Sequence, residues 1–260
     1  MTSPYDDDFY TLLSTGVQRS SQKYVQALYR IYQPKSIIDI GCGRGIWLQS
    51  FGKCGATKLV GLDGKWNNKK DMVSEHIEFQ QVDLNNIPLQ SEKYDLAVSL
   101  EVAEHLHPDS AAEFVSSICE LSDAVLFSAA YTWQGGVDHQ NEQPHSYWAE
   151  LFQKHNFIPY DLFRPAFWGE EDVEFWYRQN AFMYLRQHSS VESIFAQKGC
   201  QPMVNLAFMD CIHPDLYAAK LREIVSAHQA LQQVRIELQR IQNVLPLRIY
   251  NKIRRIVLGN

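Results

Sequence analysis

Ile37-Ile38-Asp39-Ile40-Gly41-Cys42-Gly43-Arg44-Gly45-Ile46-Trp47-Leu48 reads as a buried strand that runs into a glycine-rich turn and opens a helix. The apolar residues 37–40 supply the strand. Three glycines at alternate positions let the backbone turn tightly and keep Cβ atoms away from a nucleotide-like cofactor. The spacing is G-x-G-x-G, not the G-x-G-x-x-G of dinucleotide-binding proteins. Asp39, just ahead of the first glycine, places a carboxylate where a cationic amino group suits better than a pyrophosphate. That directs the reading away from NAD.

Working outward, short apolar runs at 36–40, 58–62, 77–82, 94–100 and 124–129 alternate with stretches long enough for crossover helices. The alternation predicts a parallel α/β sheet. Ahead of it, the apolar spacing of residues 20–32 predicts a helix that Pro34 ends. Beyond it, residues 144–155 predict a helix, and 157–162 and 181–186 predict two strands that close the sheet. The expected organisation is an N-terminal helical cap over 1–35, a central domain over 36–213, and an amphipathic tail over 214–260.

The 260 residues are 45% hydrophobic and 21% charged, which is enough for one core plus an appendage. A net charge of −6 and a pI near 5.8 exclude a protein that coats duplex DNA through a general positive field. Cys42, Cys54, Cys119, Cys200 and Cys211 form no C-x-x-C pair, so neither a disulfide framework nor a structural zinc site is expected. The acidic start, MTSPYDDDFY, holds no signal core, and no segment has membrane-spanning length, so the expected location is cytoplasmic.

Asp63 closes the second strand roughly 20 residues beyond the glycine turn, where a carboxylate accepts hydrogen bonds from both hydroxyls of a cofactor ribose. Asp83 follows the third strand, either as a cofactor contact or as a turn cap. After the fourth strand, Glu101, Glu104 and His105 stand at spacings of three and four, which on a helix puts them on one face. Two carboxylates and an imidazole can hold a divalent cation, and the oxygen donors favour magnesium or manganese over zinc. His139, in the loop after the fifth strand, is the first choice for a fourth ligand, with His145 second and His107 third. The alternative is a helix cap or loop contact, leaving His105 or His139 as a metal-free general base.

Together the glycine turn, Asp63, Asp83 and YDLAVSLEVAEHL at 94–106 resemble class I S-adenosylmethionine-dependent methyltransferases, over residues 36–186. The resemblance implies an α/β Rossmann-like sheet with helices on both faces and S-adenosylmethionine as cofactor. It implies that Gly41, Gly43 and Gly45 carry the methionine part, Asp63 the ribose and Asp83 the adenine amino group, with Leu84 stacking on the adenine. The E-x-x-E-H arrangement is similar to that of metal-dependent hydroxyl methyltransferases acting on quinone precursors and on the ribose end of small RNAs. It implies Glu101, Glu104, His105 and His139 around a cation, with His139, His105 and Glu104 beside the reaction. An alcohol is a poor nucleophile at neutral pH, and a cation lowers its pKa while a histidine removes the proton.

Residues 131–180 resemble a subgroup that modifies sugars and surface polysaccharides, which implies a carbohydrate hydroxyl as acceptor. Trp133, ahead of Gly135-Gly136, suits stacking on a sugar ring or the sulfonium, whereas Trp148, Trp168 and Trp176 read as packing. Arg164 and Arg178 suit an acidic sugar or a phosphate, or else form ion pairs. Gln134, Asn141, Glu142 and Gln143 make the loop polar. Two other readings stand beside this one: a methyltransferase of a small phenol or quinone precursor, which wants a greasier pocket, and a non-catalytic cofactor-binding scaffold.

Beyond Pro214, Ile224, Leu231, Leu238 and Leu245 interleave with Ala227, Val234 and Ile241 in a heptad seam. The expectation is a coiled-coil-like helix that self-associates or docks a partner glycosyltransferase through 214–245, against the alternative of a helix packed on its own domain. The end, residues 246–260, interleaves four cations with isoleucines and valine, which suits an anionic inner membrane face or a partner protein.

Overall fold

A computed structural model describes residues 7–87 and 92–258, with side chains at all of these positions other than 7–14, 242–246 and 258. Five strands, β1 (Ser36–Ile40), β2 (Lys58–Asp63), β3 (Ile77–Gln81), β4 (Leu96–Leu100) and β5 (Ala124–Ser128), run parallel, and β1 lies between β2 and β4. The two remaining strands, β6 (Phe157–Tyr160) and β7 (Phe182–Arg186), complete the order β3-β2-β1-β4-β5-β7-β6. β7 is antiparallel to both neighbours, so the sheet is mixed and not wholly parallel. β6 runs in the direction of β5, and β7 fills the gap between them in the opposite sense.

The central strands lack an apolar–polar alternation because both of their faces are covered. On one face Ile38, Ile40, Val60, Ala97 and Phe127 meet Phe114 and Ile118 of α3 (Ala111–Leu121) and Trp148 and Phe152 of α4 (His145–Gln153). On the other, Ile37, Leu59, Leu96 and Leu126 meet Tyr24 and Leu28 of α1 (Asp7–Tyr29), Phe51 of α2 (Ile46–Lys53) and Phe195 of α7 (Ser190–Gln197). Burying each such side chain stabilises by roughly 1.5–3 kcal/mol. α1 starts well ahead of the expected residue 20 and ends five residues before Pro34; its contribution to the core makes it part of the sheet domain. Residues 1–6 of the expected cap lie outside the described residues. Two short helices, α5 (Arg164–Phe167) and α6 (Phe175–Asn180), join β6 to β7, and no helix occurs among the described residues between β3 and β4.

The chain divides into two units, Met1–His213 and Pro214–Asn260. The second is one helix, α8 (Pro214–Leu258), 45 residues long. Its described side chains from 221 to 241 are all exposed, including Ile224, Ala227, Leu231, Val234, Leu238 and Ile241 of the seam; the Leu245 side chain lies outside the described residues. Among the described residues no helix is long and apolar enough to cross a membrane.

Candidate active site

The parallel strands deliver their carboxyl ends to one edge of the sheet, the edge at which α/β proteins bind ligands. At the end of β1 the turn places Gly41, Gly43 and Gly45 at φ 80°, 52° and 79°, a left-handed backbone that strains any residue with a Cβ. A Cβ on Gly41 would stand 2.3 Å from Val102 Cγ2, whereas one on Gly43 would meet nothing within 4 Å. Packing therefore fixes the first glycine, and open space lies over the second. The Gly43 N–H donates to Asp63 Oδ2 and the Gly64 N–H to Asp63 Oδ1, each at 2.7 Å, which aims the carboxylate at the end of β2 back at the turn. The Asn67 side chain donates to the Gly43 carbonyl and closes the same knot.

A cavity of about 1130 Å³ opens here. Gly41, Gly43, Asp63, Asp83 and Leu84 line it, as do Glu101, Val102, His105, Leu106 and Val137. Asp83 stands in this wall and also caps a turn, its Oδ1 accepting from the Asn85 N–H at 3.0 Å. Asp39 and Gly45 do not line this cavity. Gly45 caps the start of α2, and Asp39 is 3% exposed, so burial and then the Asp63 carboxylate push its carboxyl up to about 8. Trp66, three residues beyond Asp63, joins the wall with its indole 73% exposed, a contact that no motif announced.

The helix expected to carry Glu101, Glu104 and His105 on one face is absent. Glu101 has φ 56°, and only Ala103–His105 form a single 3-10 turn. What gathers the groups is the loop after β5. Gln140 and Asn141 donate their backbone N–H to the Glu104 carbonyl at 2.8 and 2.9 Å, and Asn141 Nδ2 reaches the Ala103 carbonyl at 3.4 Å. This clamp brings ligating atoms of Glu104, His105 and His139 within 4.8 Å of one another. His139 Nδ1 lies 2.8 Å from Glu142 Oε1. A carboxylate only accepts, so Nδ1 carries a proton and Nε2 is the nitrogen left for a ligand. Gly136 makes room for that ring, since a Cβ there would stand 2.2 Å from Nε2.

Glu101 is outside this group of three; Asn180 Nδ2 donates to its two oxygens at 3.1 and 3.2 Å, and Gln134 Nε2 to one at 3.4 Å. Burial raises its carboxyl pKa. Both Glu104 oxygens are buried without a hydrogen-bond partner, and burial, followed by the Glu101 charge, pushes that carboxyl well up. Burial, then His139, lowers the pKa of His105 and keeps its imidazole neutral. The lower-ranked histidines serve structure. His145 is buried between the Met209 carbonyl at 3.0 Å and Asn180 Oδ1 at 3.1 Å, with burial pulling it down to about 4, and His107 caps a 3-10 turn by accepting from the Asp109 N–H.

Backbone strain concentrates in the same place. Of five non-glycine residues with left-handed backbone among the described residues, Glu101, Trp133 and Asp138 lie in or beside this site. Neither arginine lines this cavity, and Arg164 takes the ion-pair alternative. Arg164 pairs with Asp161 at 2.8 Å and donates to the Phe208 and Met209 carbonyls, and Arg178 is buried with Nη1 on the Trp168 carbonyl at 3.2 Å.

A mixed seven-stranded sheet with a glycine turn, a ribose-type acid and a cavity at its carboxyl edge is the architecture of class I S-adenosylmethionine-dependent methyltransferases. Residues 14–201 match the family described as "Methyltransferase domain", and the chain belongs to that family. It is similar to the mitochondrial ubiquinone biosynthesis O-methyltransferase of Dictyostelium discoideum, at 31% identity over 36% of this chain and 34% of that protein. The Arabidopsis thaliana protein of the same description is 31% identical over 35% of this chain and 30% of its own length. The match thus spans about a third of these curated relatives. Among solved structures, magnesium protoporphyrin IX methyltransferase from Synechocystis with bound SAH has a TM-score of 0.51 at 16% identity, covering 72% of this chain and 90% of that one, a likeness of fold.

Proposed function

We propose that the chain is a metal-assisted O-methyltransferase whose acceptor is a small phenol with neighbouring oxygens, of the quinone-precursor type. The observation that carries this choice is the fate of the polar loop. Gln134, Asn141 and Glu142, in the polar loop that suited a carbohydrate acceptor, spend their side chains on Glu101, Ala103 and His139, and Gln143 donates to Asn141. Val102, Leu106 and Val137 remain to line the cavity. The curated relatives, O-methyltransferases of ubiquinone biosynthesis, support the same reading. One feature still suits a sugar: Trp133 holds its indole 80% exposed on a strained backbone.

The residues fit a divalent cation, because Glu104 has two buried oxygens without a partner and stands grouped with His139 and a neutral His105. Glu104, His105 and His139 would hold it, with Glu101 as the fourth group. When bound, such an ion lowers the pKa of the acceptor hydroxyl. Asp63 holds the ribose, Asp83 and Leu84 the adenine, and the glycine turn the methionine part of S-adenosylmethionine. The acceptor oxygen attacks the methyl carbon in line, the C–S bond breaks and its electron pair returns to sulfur. His105, neutral and in the cavity wall, has the form that ligates a cation or takes up the hydroxyl proton. Alignment of the acceptor oxygen with the methyl carbon supplies much of the rate.

Methyl transfer to catechol and to a panel of glycosides tests both parts. The expected result is methylation of catechol that a chelator abolishes and magnesium or manganese restores, with Glu104→Ala inactive and still able to bind S-adenosylmethionine. Activity that survives the chelator removes the metal, and turnover of glycosides alone removes the phenol.

A further inference from the structure

The last three turns or so of α8 carry a surface that the methyl-transfer chemistry does not use. From Leu238 onward the sequence has no acid, and it has five cations, Arg240, Arg248, Lys252, Arg254 and Arg255. Removing these five from the net −6 of the chain leaves −11 on residues 1–237. The molecule is therefore strongly polarised along its sequence, with an acidic bulk and a purely basic end.

The helix continues unbroken through this end to Leu258, which fixes the angular positions of its side chains. At roughly 3.6 residues per turn, Ile249, Tyr250, Ile253, Ile256 and Val257 share an arc of about 120°. All five are exposed, by 52% to 74%. Arg248, Lys252 and Arg255 border one side of that arc, and Arg254 borders the other. Cations on both edges of an apolar stripe can extend to lipid phosphates while their stems cover hydrocarbon, the arrangement of a helix lying in the plane of a bilayer surface.

We propose that residues 247–258 form a peripheral binding surface for a bilayer rich in anionic lipid, with the isoleucines entering the boundary between headgroups and acyl chains. Charge complementarity selects this occupant. A nucleic acid would satisfy the arginines and leave five apolar side chains in water, and a neutral bilayer would gain nothing from four flanking cations. The acidic bulk of the chain excludes a general attraction to phosphate, so the contact has to be made by this segment.

The test is sedimentation of the full chain with phosphatidylcholine vesicles, with and without about a third of phosphatidylglycerol, and titration with a single-stranded RNA homopolymer. Binding to the anionic vesicles at least about tenfold tighter than to the neutral ones, weakened by salt, is expected. Arg248→Glu with Arg255→Glu should abolish it, and Ile253→Asp should abolish it while the charge falls by only one. Unchanged S-adenosylmethionine binding by these variants shows that the domain is intact. Equal binding to both vesicles, retention by Ile253→Asp, or binding to RNA in place of vesicles overturns the proposal. None of these outcomes depends on which acceptor is methylated.

Discussion

Gly41 and Gly43 share a left-handed backbone and differ in what surrounds them, so the same substitution separates two roles. Gly43→Ala meets no atom within 4 Å, and its expected cost in stability is the roughly 1–2 kcal/mol of left-handed strain. Its methyl group enters the cavity, so calorimetry should record loss of S-adenosylmethionine binding from a protein that melts only slightly early. Gly41→Ala instead drives a methyl group into Val102, adding an overpacking cost of about 1–3 kcal/mol to the strain, and its main effect should appear in the melting temperature. Asp39 sets a pH dependence. Its folded pKa near 8 lies above the ordinary 3.8, so its burial costs nothing below about pH 4, costs more as pH rises towards 8, and levels off above that. Asp39→Asn should therefore stabilise the cofactor-free protein at pH 9 and hardly at all at pH 4. The upper bound is roughly 6 kcal/mol from the size of the shift. A melting-temperature difference that is flat over this range would remove the buried carboxyl from the account.

At the scale of elements, the candidate metal site is made by a loop clamped across a 3-10 turn, and its precision comes from groups behind the ligands. Glu142 fixes the tautomer of His139, and Asn180 at the end of α6 fixes Glu101. Glu142→Gln and Asn180→Ala are each expected to weaken manganese binding about 10–100-fold while the fold and cofactor affinity persist, measurable by calorimetry on the S-adenosylmethionine complex. Unchanged manganese affinity in both would show that these contacts serve packing alone. The residue types of the candidate site were legible in the sequence, because Glu101, Glu104, His105 and His139 follow strands whose apolar runs mark the carboxyl edge of the sheet. Their arrangement was not, since a helical period was assumed where Glu101 turns left-handed. The Asn180 contact spans 79 residues and leaves no local spacing to read. His139 to Glu142 is an i, i+3 pair inside the loop, and that signal was available. The glycine turn, Asp63 and the five parallel strands were legible because each is a local pattern. The strand β7 was legible as well but its antiparallel sense was not, because strand direction is set by how the chain returns across the sheet.

For the molecule as a whole, the sign of the cavity wall decides which acceptors can enter. Among the described residues, Asp63, Asp83, Glu101 and Asp138 line it against a single lysine, Lys65. A wall of this sign attracts the positively charged sulfonium of S-adenosylmethionine and favours it over the uncharged thioether left after transfer, which promotes product release. The same wall repels an acceptor that carries its own carboxylate or phosphate, and the two arginines that would offset the repulsion are committed inside the fold. A catechol is therefore expected to have a kcat/KM about tenfold or more above that of the same ring bearing a carboxylate, which corresponds to roughly 1.4 kcal/mol of differential transition-state binding. The gap should narrow as ionic strength rises, because the repulsion is partly screened at an open cavity mouth. Equal rates for both rings at low salt would mean that the acceptor does not pass this wall, and the phenol reading of the site would fall with it.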